Sequence, residues 1–173
     1  MVNSNITEIF KDIPEIAILF NNDQKLYQKY LDSIFPKSKI KDIFWHATNT
    51  KDLQFIKDNT EGYFAKEKNG TPNAIFFSKD KAPKESVFSR LHTLGVVLNI
   101  QNPYIRDDRG DRDSYPEGYK QTINNAEENG YDGVCILNTF DNFTTDVFVV
   151  FDPQQIHILG SKQDIQKAKD WLL

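Results

Sequence analysis

The chain has 173 residues, of which 39% are hydrophobic and 27% are charged, and its formal net charge is −4. This length and composition favour one folded domain with an apolar core and exclude wholesale disorder. The negative charge argues against a broad nucleic-acid-binding surface. No apolar run approaches the roughly 18 residues of a membrane-spanning helix, so no membrane partner is expected.

The N-terminal part of the sequence shows the spacing of helices. Apolar residues recur every three or four positions over residues 6–20, but Pro14 interrupts this stripe and predicts a break. A second stripe over residues 23–35 predicts another helix, which Pro36 ends. We therefore expect an N-terminal helical segment over residues 1–42 that packs on the rest of the chain.

From residue 43 onward the pattern changes to short apolar runs between polar, Gly or Pro positions, and these predict a domain over residues 43–173. The predicted strands cover residues 43–47, 74–78, 94–100, 133–137 and 146–151. The predicted helices cover residues 51–59, about 81–91, 117–129 and 162–172. The charged, Pro-containing segment 101–116 predicts a long surface loop. Strands separated by uneven helices and loops favour an α+β fold with a split β-sheet over a doubly wound parallel sheet.

The single cysteine, Cys135, has no partner for an internal disulfide and lies in an apolar run, which favours a buried, unreactive thiol. A reducing cytoplasm suits such a chain, and its start lacks the pattern of a signal peptide, so a cytoplasmic location is expected. His92 and His157 lack metal-ligand spacing, and the acidic segment 107–113 lacks the spacing of a calcium loop. No metal site is expected.

Three of the predicted strands carry side chains that suit one ligand. On a strand, alternation places His46 and Thr48 on the same face. The run 146–152 is an apolar strand with an acid at each end, and the run 74–78 is a further short apolar strand. Three such strands can line one cleft for a flat, polar, ribose-bearing ligand, and NAD is the molecule that these side chains suggest.

These runs, with their order and spacing over about residues 43 to 160, resemble the diphtheria-toxin-like ADP-ribosyltransferases, the group that includes the poly(ADP-ribose) polymerases. The triplet His46-Ala47-Thr48 is similar to that family's first motif, and Ile75-Phe76-Phe77 is similar to its second. Its third motif is matched by the strand at residues 147–152, followed by Gln155-Ile156.

A narrower resemblance is to ADP-ribosyltransferase-like domains of phage polyvalent proteins. Those domains also carry an Asn-Pro pair after the central strand, here Asn102-Pro103, and a Gly-Tyr-Asp-Gly run, here residues 130–133. The ending over residues 149–156 is similar as well. The helical segment over residues 1–42 lies outside the resemblance.

The resemblance implies an NAD-dependent ADP-ribosyltransferase that uses NAD as a substrate and makes a mono-ADP-ribosyl transfer to a protein or other macromolecular acceptor. His46 would contact the ribose hydroxyls, the backbone of Ala47 would bond the nicotinamide amide, and Thr48 would bond the amide or ribose. Phe76 would stack on the nicotinamide ring, and Phe88 would close its other side. His46, Phe76 and a carboxylate would form the catalytic set.

The carboxylate is where this sequence departs from the family. The third-motif glutamate falls on Val147, so the expected catalytic acid is Asp146, with Asp141 as the other candidate. Alternation points Asp146 and Val147 to opposite faces of a regular strand unless a bulge intervenes. The preceding loop, with Asp141 and Phe143, is expected to contact the acceptor. A non-catalytic NAD- or ADP-ribose-binding module of the same fold, or an NAD glycohydrolase, remains the alternative.

Overall fold

The computed structural model describes residues 3–48, 74–83, 92–114 and 118–173. Within them the α-helices are α1 (Ile6–Asp12), α2 (Pro14–Leu19), α3 (Gln24–Ile34), α4 (Gly118–Glu128) and α5 (Lys162–Leu172). The strands are β1 (Phe44–Thr48), β2 (Ile75–Ser78), β3 (His92–Leu98), β4 (Pro103–Asp107), β5 (Gly133–Leu137), β6 (Val147–Val150) and β7 (Ile156–Ile158). Short 3-10 helices cover Arg112–Ser114 and Pro153–Gln155. None of the described helices is long and apolar enough to span a membrane.

The N-terminal helices begin and end where the sequence predicts. Pro14 is the first residue of α2, a position where its missing N–H costs nothing, and it separates α2 from α1. The side chain of Asp23 accepts a hydrogen bond from the Leu26 N–H at 3.0 Å and so caps α3. The predicted break at Pro14 and the predicted second helix are both confirmed.

The strands form one seven-stranded mixed sheet in the order β4-β5-β6-β2-β1-β3-β7. The β4–β5 pair is parallel and every other pair is antiparallel. An α+β fold is therefore confirmed, and the five predicted strands are present with bounds that shift by a few residues at most.

The sheet is weakly joined in the middle. All five residues of β1 pair with β3, whereas β1 meets β2 in the described chain through a single residue pair, Trp45 with Ser78. We call β1, β3 and β7 the β1 half, and β2, β6, β5 and β4 the β2 half. The strands diverge beyond that pair, which leaves a gap between the two halves.

The two halves share one apolar core on one face of the sheet. The rings of Phe44 on β1 and Phe148 on β6 lie 4.4 Å apart between centroids, although β2 separates these strands. Strands two positions apart in a sheet lie about 9–10 Å from each other, so these two side chains meet over β2. On the other face, α1–α3 and α5 cover the β1 half, and Ile123 and Ala126 of α4 pack on the β2 half.

Two strands were not predicted. The prediction of a long loop over residues 101–116 is wrong in part, because β4 forms at the edge of the sheet, where a strand tolerates Pro103 as its first residue and charged side chains. Within the acidic segment, Asp108 is buried in an ion pair with Arg106 and is not solvated. The other missed strand, β7, has only three residues.

The predicted helix over residues 51–59 lies outside the described residues. So does most of the predicted helix over residues 81–91, and its first three residues are not helical.

Candidate functional site

A cleft of about 440 Å³ lies where β1 and β2 diverge. That volume is within the range of small-molecule sites. Residues from β1, β2, α4 and the loop over residues 138–145 line it, among them His46, Ala47, Phe76, Tyr119, Asp141 and Phe143. Segments that are distant in the sequence therefore converge on one concave surface because the sheet opens between its two halves.

His46 bridges the gap between the halves. Its Nδ1 lies 2.9 Å from the carbonyl oxygen of Phe76, and the ring packs 5.4 Å from the ring of Phe77. A carbonyl oxygen only accepts, so Nδ1 carries the proton and donates it. His46 is 7% exposed, and the hydrogen bond to Phe76 holds its imidazole at the edge of the cleft.

The other two residues of this triplet are placed differently from each other. Ala47 is half-buried and lines the cleft. Thr48 is buried, pairs with His92 across β1 and β3, and is not among the described residues that line the cleft. Of the three, His46 and Ala47 therefore meet the cleft.

An aromatic wall forms part of the cleft. The rings of Phe76 on β2 and Tyr119 on α4 lie 6.4 Å apart between centroids with an interplanar angle of 34°. That separation is within the range of favourable aromatic pairs. Phe88, predicted to close the other side of a bound ring, lies outside the described residues.

Asp141 is the carboxylate among the described residues that line the cleft, and two side chains hold it. Arg112 Nη1 donates to Asp141 Oδ1 at 2.7 Å, and the Tyr119 hydroxyl lies 3.0 Å from Asp141 Oδ2. The same hydroxyl lies 3.0 Å from Thr139 Oγ1. Burial raises the pKa of Tyr119 to about 12, and the charge of Asp141 acts in the same direction. The phenol is therefore protonated at neutral pH and donates to the carboxylate.

Asp146 has other partners and is not among the described cleft-lining residues. Its Oδ1 accepts from the Asn138 N–H at 2.8 Å, and its Oδ2 lies 3.6 Å from Lys79 Nζ. It precedes the first residue of β6, Val147, which is buried and lines the cleft with an apolar side chain. The structure therefore brings Asp141, and not Asp146, together with His46 and Phe76.

The loop over residues 138–145 carries the acidic side of the cleft and is tied down at its base. The Thr145 N–H donates to Asp80 Oδ2 at 3.0 Å, and the Thr144 hydroxyl lies 3.1 Å from the same oxygen. Positive φ angles occur at three of its non-glycine residues, namely Asn138, Phe140 and Asn142. Phe140 is 59% exposed, whereas Phe143 is half-buried and lines the cleft.

Three contributors to this site were not singled out from the sequence: Tyr119, Arg112 and Asp80. Tyr119 lies in a correctly predicted helix, but the face that α4 turns toward β2 depends on packing between distant segments. A polar turn around Asp80 is visible in the sequence, yet its carboxylate contacts residues more than 60 positions away. Comparison with protein-family models, with curated proteins and with solved structures gave no significant match.

Proposed function

We propose that this protein is an NAD-dependent ADP-ribosyltransferase that binds the nicotinamide and adjacent ribose of NAD in the cleft between β1 and β2. One observation carries the proposal. His46, Ala47 and Phe76, which come from two segments about 30 residues apart, line one cleft together with the carboxylate of Asp141. The diverging β1 and β2 also support an ADP-ribosyltransferase-like split sheet.

The side chains fit the nicotinamide end of NAD. The nicotinamide ring is flat and positively charged while it is attached to ribose, and such a ring is attracted to aromatic faces such as those of Phe76 and Tyr119. The small side chain of Ala47 lets a ligand approach the β1 backbone closely. The fixed imidazole of His46 stands beside them at the edge of the cleft, where a ribose hydroxyl would reach it.

The reaction would break the bond between ribose C1′ and the nicotinamide nitrogen. The electron pair of that bond leaves with nicotinamide, and positive charge develops on the ribose as in glycoside cleavage. The Asp141 carboxylate would stabilise this charge and take the proton that the acceptor loses when its nucleophilic atom bonds to C1′. The products are ADP-ribosylated acceptor, nicotinamide and one proton.

A second candidate function rests on Val147. This residue stands where the resembled family has its glutamate, and its apolar side chain lines the cleft. A cleft without that carboxylate suits a module that binds NAD or ADP-ribose and leaves it intact. An NAD glycohydrolase, in which water is the acceptor, would share the proposed chemistry with Asp141.

Nicotinamide release from NAD separates these functions, and the two neighbouring aspartates provide a matched pair of variants. We expect the wild-type protein to release nicotinamide and Asp141→Asn to release it at least about tenfold more slowly with NAD affinity retained, because the carboxylate acts on the transition state. Asp146→Asn should keep most of the activity. The opposite ranking would move the catalytic role to Asp146.

Binding is tested separately by calorimetry. His46→Ala should weaken NAD binding about 5- to 150-fold, the effect of losing a contact of about 1–3 kcal/mol. Bound NAD without nicotinamide release would favour the binding module. Unchanged affinity in a folded His46→Ala protein would rule out this site.

Transfer and hydrolysis are distinguished at Phe143. If the loop over residues 138–145 contacts the acceptor, Phe143→Ala should reduce ADP-ribose incorporation into an acceptor protein more than it reduces NAD hydrolysis. Equal losses in both reactions would make Phe143 a structural residue. The distant Phe35→Ala serves as a control of the same side-chain type, since Phe35 is not among the described cleft-lining residues.

A further inference from the structure

A buried ion pair lies at the end of the edge strand β4. Arg106 on β4 and Asp108, one residue past its end, are 4% and 1% exposed. Arg106 Nε donates to Asp108 Oδ1 at 2.6 Å, and Nη2 donates to Oδ2 at 3.1 Å. This two-pronged geometry fixes the plane of the guanidinium. Replacing a buried ion pair by apolar residues is often neutral or stabilising, so such a pair is weak evidence of a role in stability alone.

The third nitrogen of this guanidinium reaches the start of α4. Arg106 Nη1 donates to the carbonyl oxygen of Gly118 at 2.8 Å and to Thr122 Oγ1 at 3.0 Å. Gly118 and Thr122 are one helical turn apart, so the contact fixes both the position and the rotation of the first turn. Tyr119 lies within that turn.

Arg106 also contacts Tyr119 itself. Its Cζ lies 5.5 Å from the centre of the phenol ring, within the range of a cation–π contact. The opposite end of that side chain places its hydroxyl 3.0 Å from Asp141 Oδ2. Contacts therefore run without interruption from the buried ion pair through Tyr119 to the carboxylate in the cleft.

We infer that Arg106, held by Asp108, is a positioning residue that sets the place of Tyr119 and, through the Tyr119 hydroxyl, the orientation of Asp141 toward the reacting ribose. This inference rests on the proposed function. It assigns to the buried pair an effect on the rate of bond cleavage, through the Tyr119 hydroxyl, that is larger than any effect on NAD affinity through the Tyr119 ring.

The test is steady-state nicotinamide release by Tyr119→Phe, Arg106→Lys and their double variant. Tyr119→Phe keeps the ring and loses the donor, so we expect kcat to fall about tenfold or more with KM for NAD changed less than about twofold. Arg106→Lys keeps the charge but loses the bidentate contact to Asp108, so it should also lower kcat with little change in KM. When Arg106→Lys is introduced into the Tyr119→Phe protein, it should lower kcat by less than about a further twofold, because both changes act through one hydroxyl.

Two further variants distinguish a lower kcat from a loss of folded protein. Thr122→Val removes one acceptor of Arg106 while keeping the shape of the side chain, so it should lower kcat in a protein that melts near the wild-type temperature. Arg109→Lys is the matched control, since Arg109 is exposed in the turn that follows β4 and should keep wild-type kinetics.

Independent, multiplying losses in the double variant would overturn the inference and leave the proposed function standing. If Tyr119→Phe and Arg106→Lys lower only the melting temperature and leave kcat unchanged, the inference is likewise overturned and the proposed function stands. Absence of nicotinamide release from the wild-type protein would overturn both together.

Discussion

The helix layers over the two halves of the sheet are built differently. On the β1 half, α1–α3 and α5 bury a cluster of aromatic and aliphatic side chains that includes Phe20, Tyr27, Tyr30 and Trp45, with Phe20 and Tyr27 in edge contact at 4.9 Å. On the β2 half, α4 packs through Ile123, Ala126 and the partly buried Tyr119, and polar contacts surround its first turn. Apolar burial supplies the larger free energy, whereas buried polar networks fix geometry. We call the apolar helix layer over the β1 half the scaffold. The proposed site draws on both halves, because β1 supplies His46 and Ala47 while α4 supplies the Tyr119 contact to Asp141.

The turns of the two regions make the same contrast. The turn between α2 and α3 places asparagines, Asn21 and Asn22, at positive φ, where that residue type is tolerated. The loop over residues 138–145 also uses asparagine at two such positions but places Phe140 at φ 50°. A bulky residue there is strained, and strain of this kind is concentrated at functional sites. The α2–α3 turn is therefore free of this backbone strain, and the cleft loop is strained at Phe140.

The largest effect expected from this contrast compares phenylalanines of the two regions. Phe20→Ala should lower the free energy of unfolding by about 3–5 kcal/mol, because Phe20 is fully buried. Phe76→Ala, on the partly exposed cleft wall, should cost less stability but weaken NAD binding. Urea denaturation and calorimetry measure the two properties, and equal stability losses would remove the distinction between scaffold and site.

The sequence predicts the scaffold better than the site for a physical reason. Hydrophobic period and proline positions locate α1–α3 and five strands, since these signals are local. The strand β4 was not predicted, because Arg106 occupies its buried position and interrupts the apolar alternation that is typical of a strand.

The site depends on contacts between distant segments. The motif resemblance brings His46, Ala47, Phe76 and Asp141 into consideration, and all four line the cleft. The contact between Tyr119 and Asp141 joins a helix face to a loop 22 residues away, and no local pattern specifies it. The choice between Asp141 and Asp146 likewise follows from where the loop turns before β6 begins.

A smaller effect is expected from the aspartates that anchor backbone N–H groups in each region. Asp80→Ala leaves the Thr145 N–H without its carboxylate acceptor, which should cost about 1–3 kcal/mol and speed amide exchange within residues 138–145. Asp23→Ala removes the cap of α3 and should cost about 1 kcal/mol without affecting exchange in that loop. Faster loop exchange in both variants would show that the two regions open together.

The strain at Phe140 predicts a gain in stability. Phe140→Asn places a residue that tolerates positive φ at a 59% exposed position, so the free energy of unfolding should rise by about 0.5–1 kcal/mol. The reverse change in the scaffold, Asn21→Phe, should lower it by a similar amount. Urea denaturation of both variants measures this, and a loss on Phe140→Asn would mean that its ring is held by contacts that outweigh the strain.

The smallest effect concerns Cys135, which belongs to the core that both halves share and so reports when they separate. Burial raises the pKa of its thiol to about 12, so the folded protein should react negligibly with iodoacetamide at pH 8. The thiolate forms readily only in the unfolded chain, where the pKa is about 8.5, so the thiol's contribution to stability is present below that pH and is lost as pH rises toward 12. Phe20→Ala should speed alkylation by increasing global unfolding. Asp80→Ala, which opens the loop locally, should speed it far less, and equal acceleration by both variants would show that the cleft loop and the scaffold unfold as one unit.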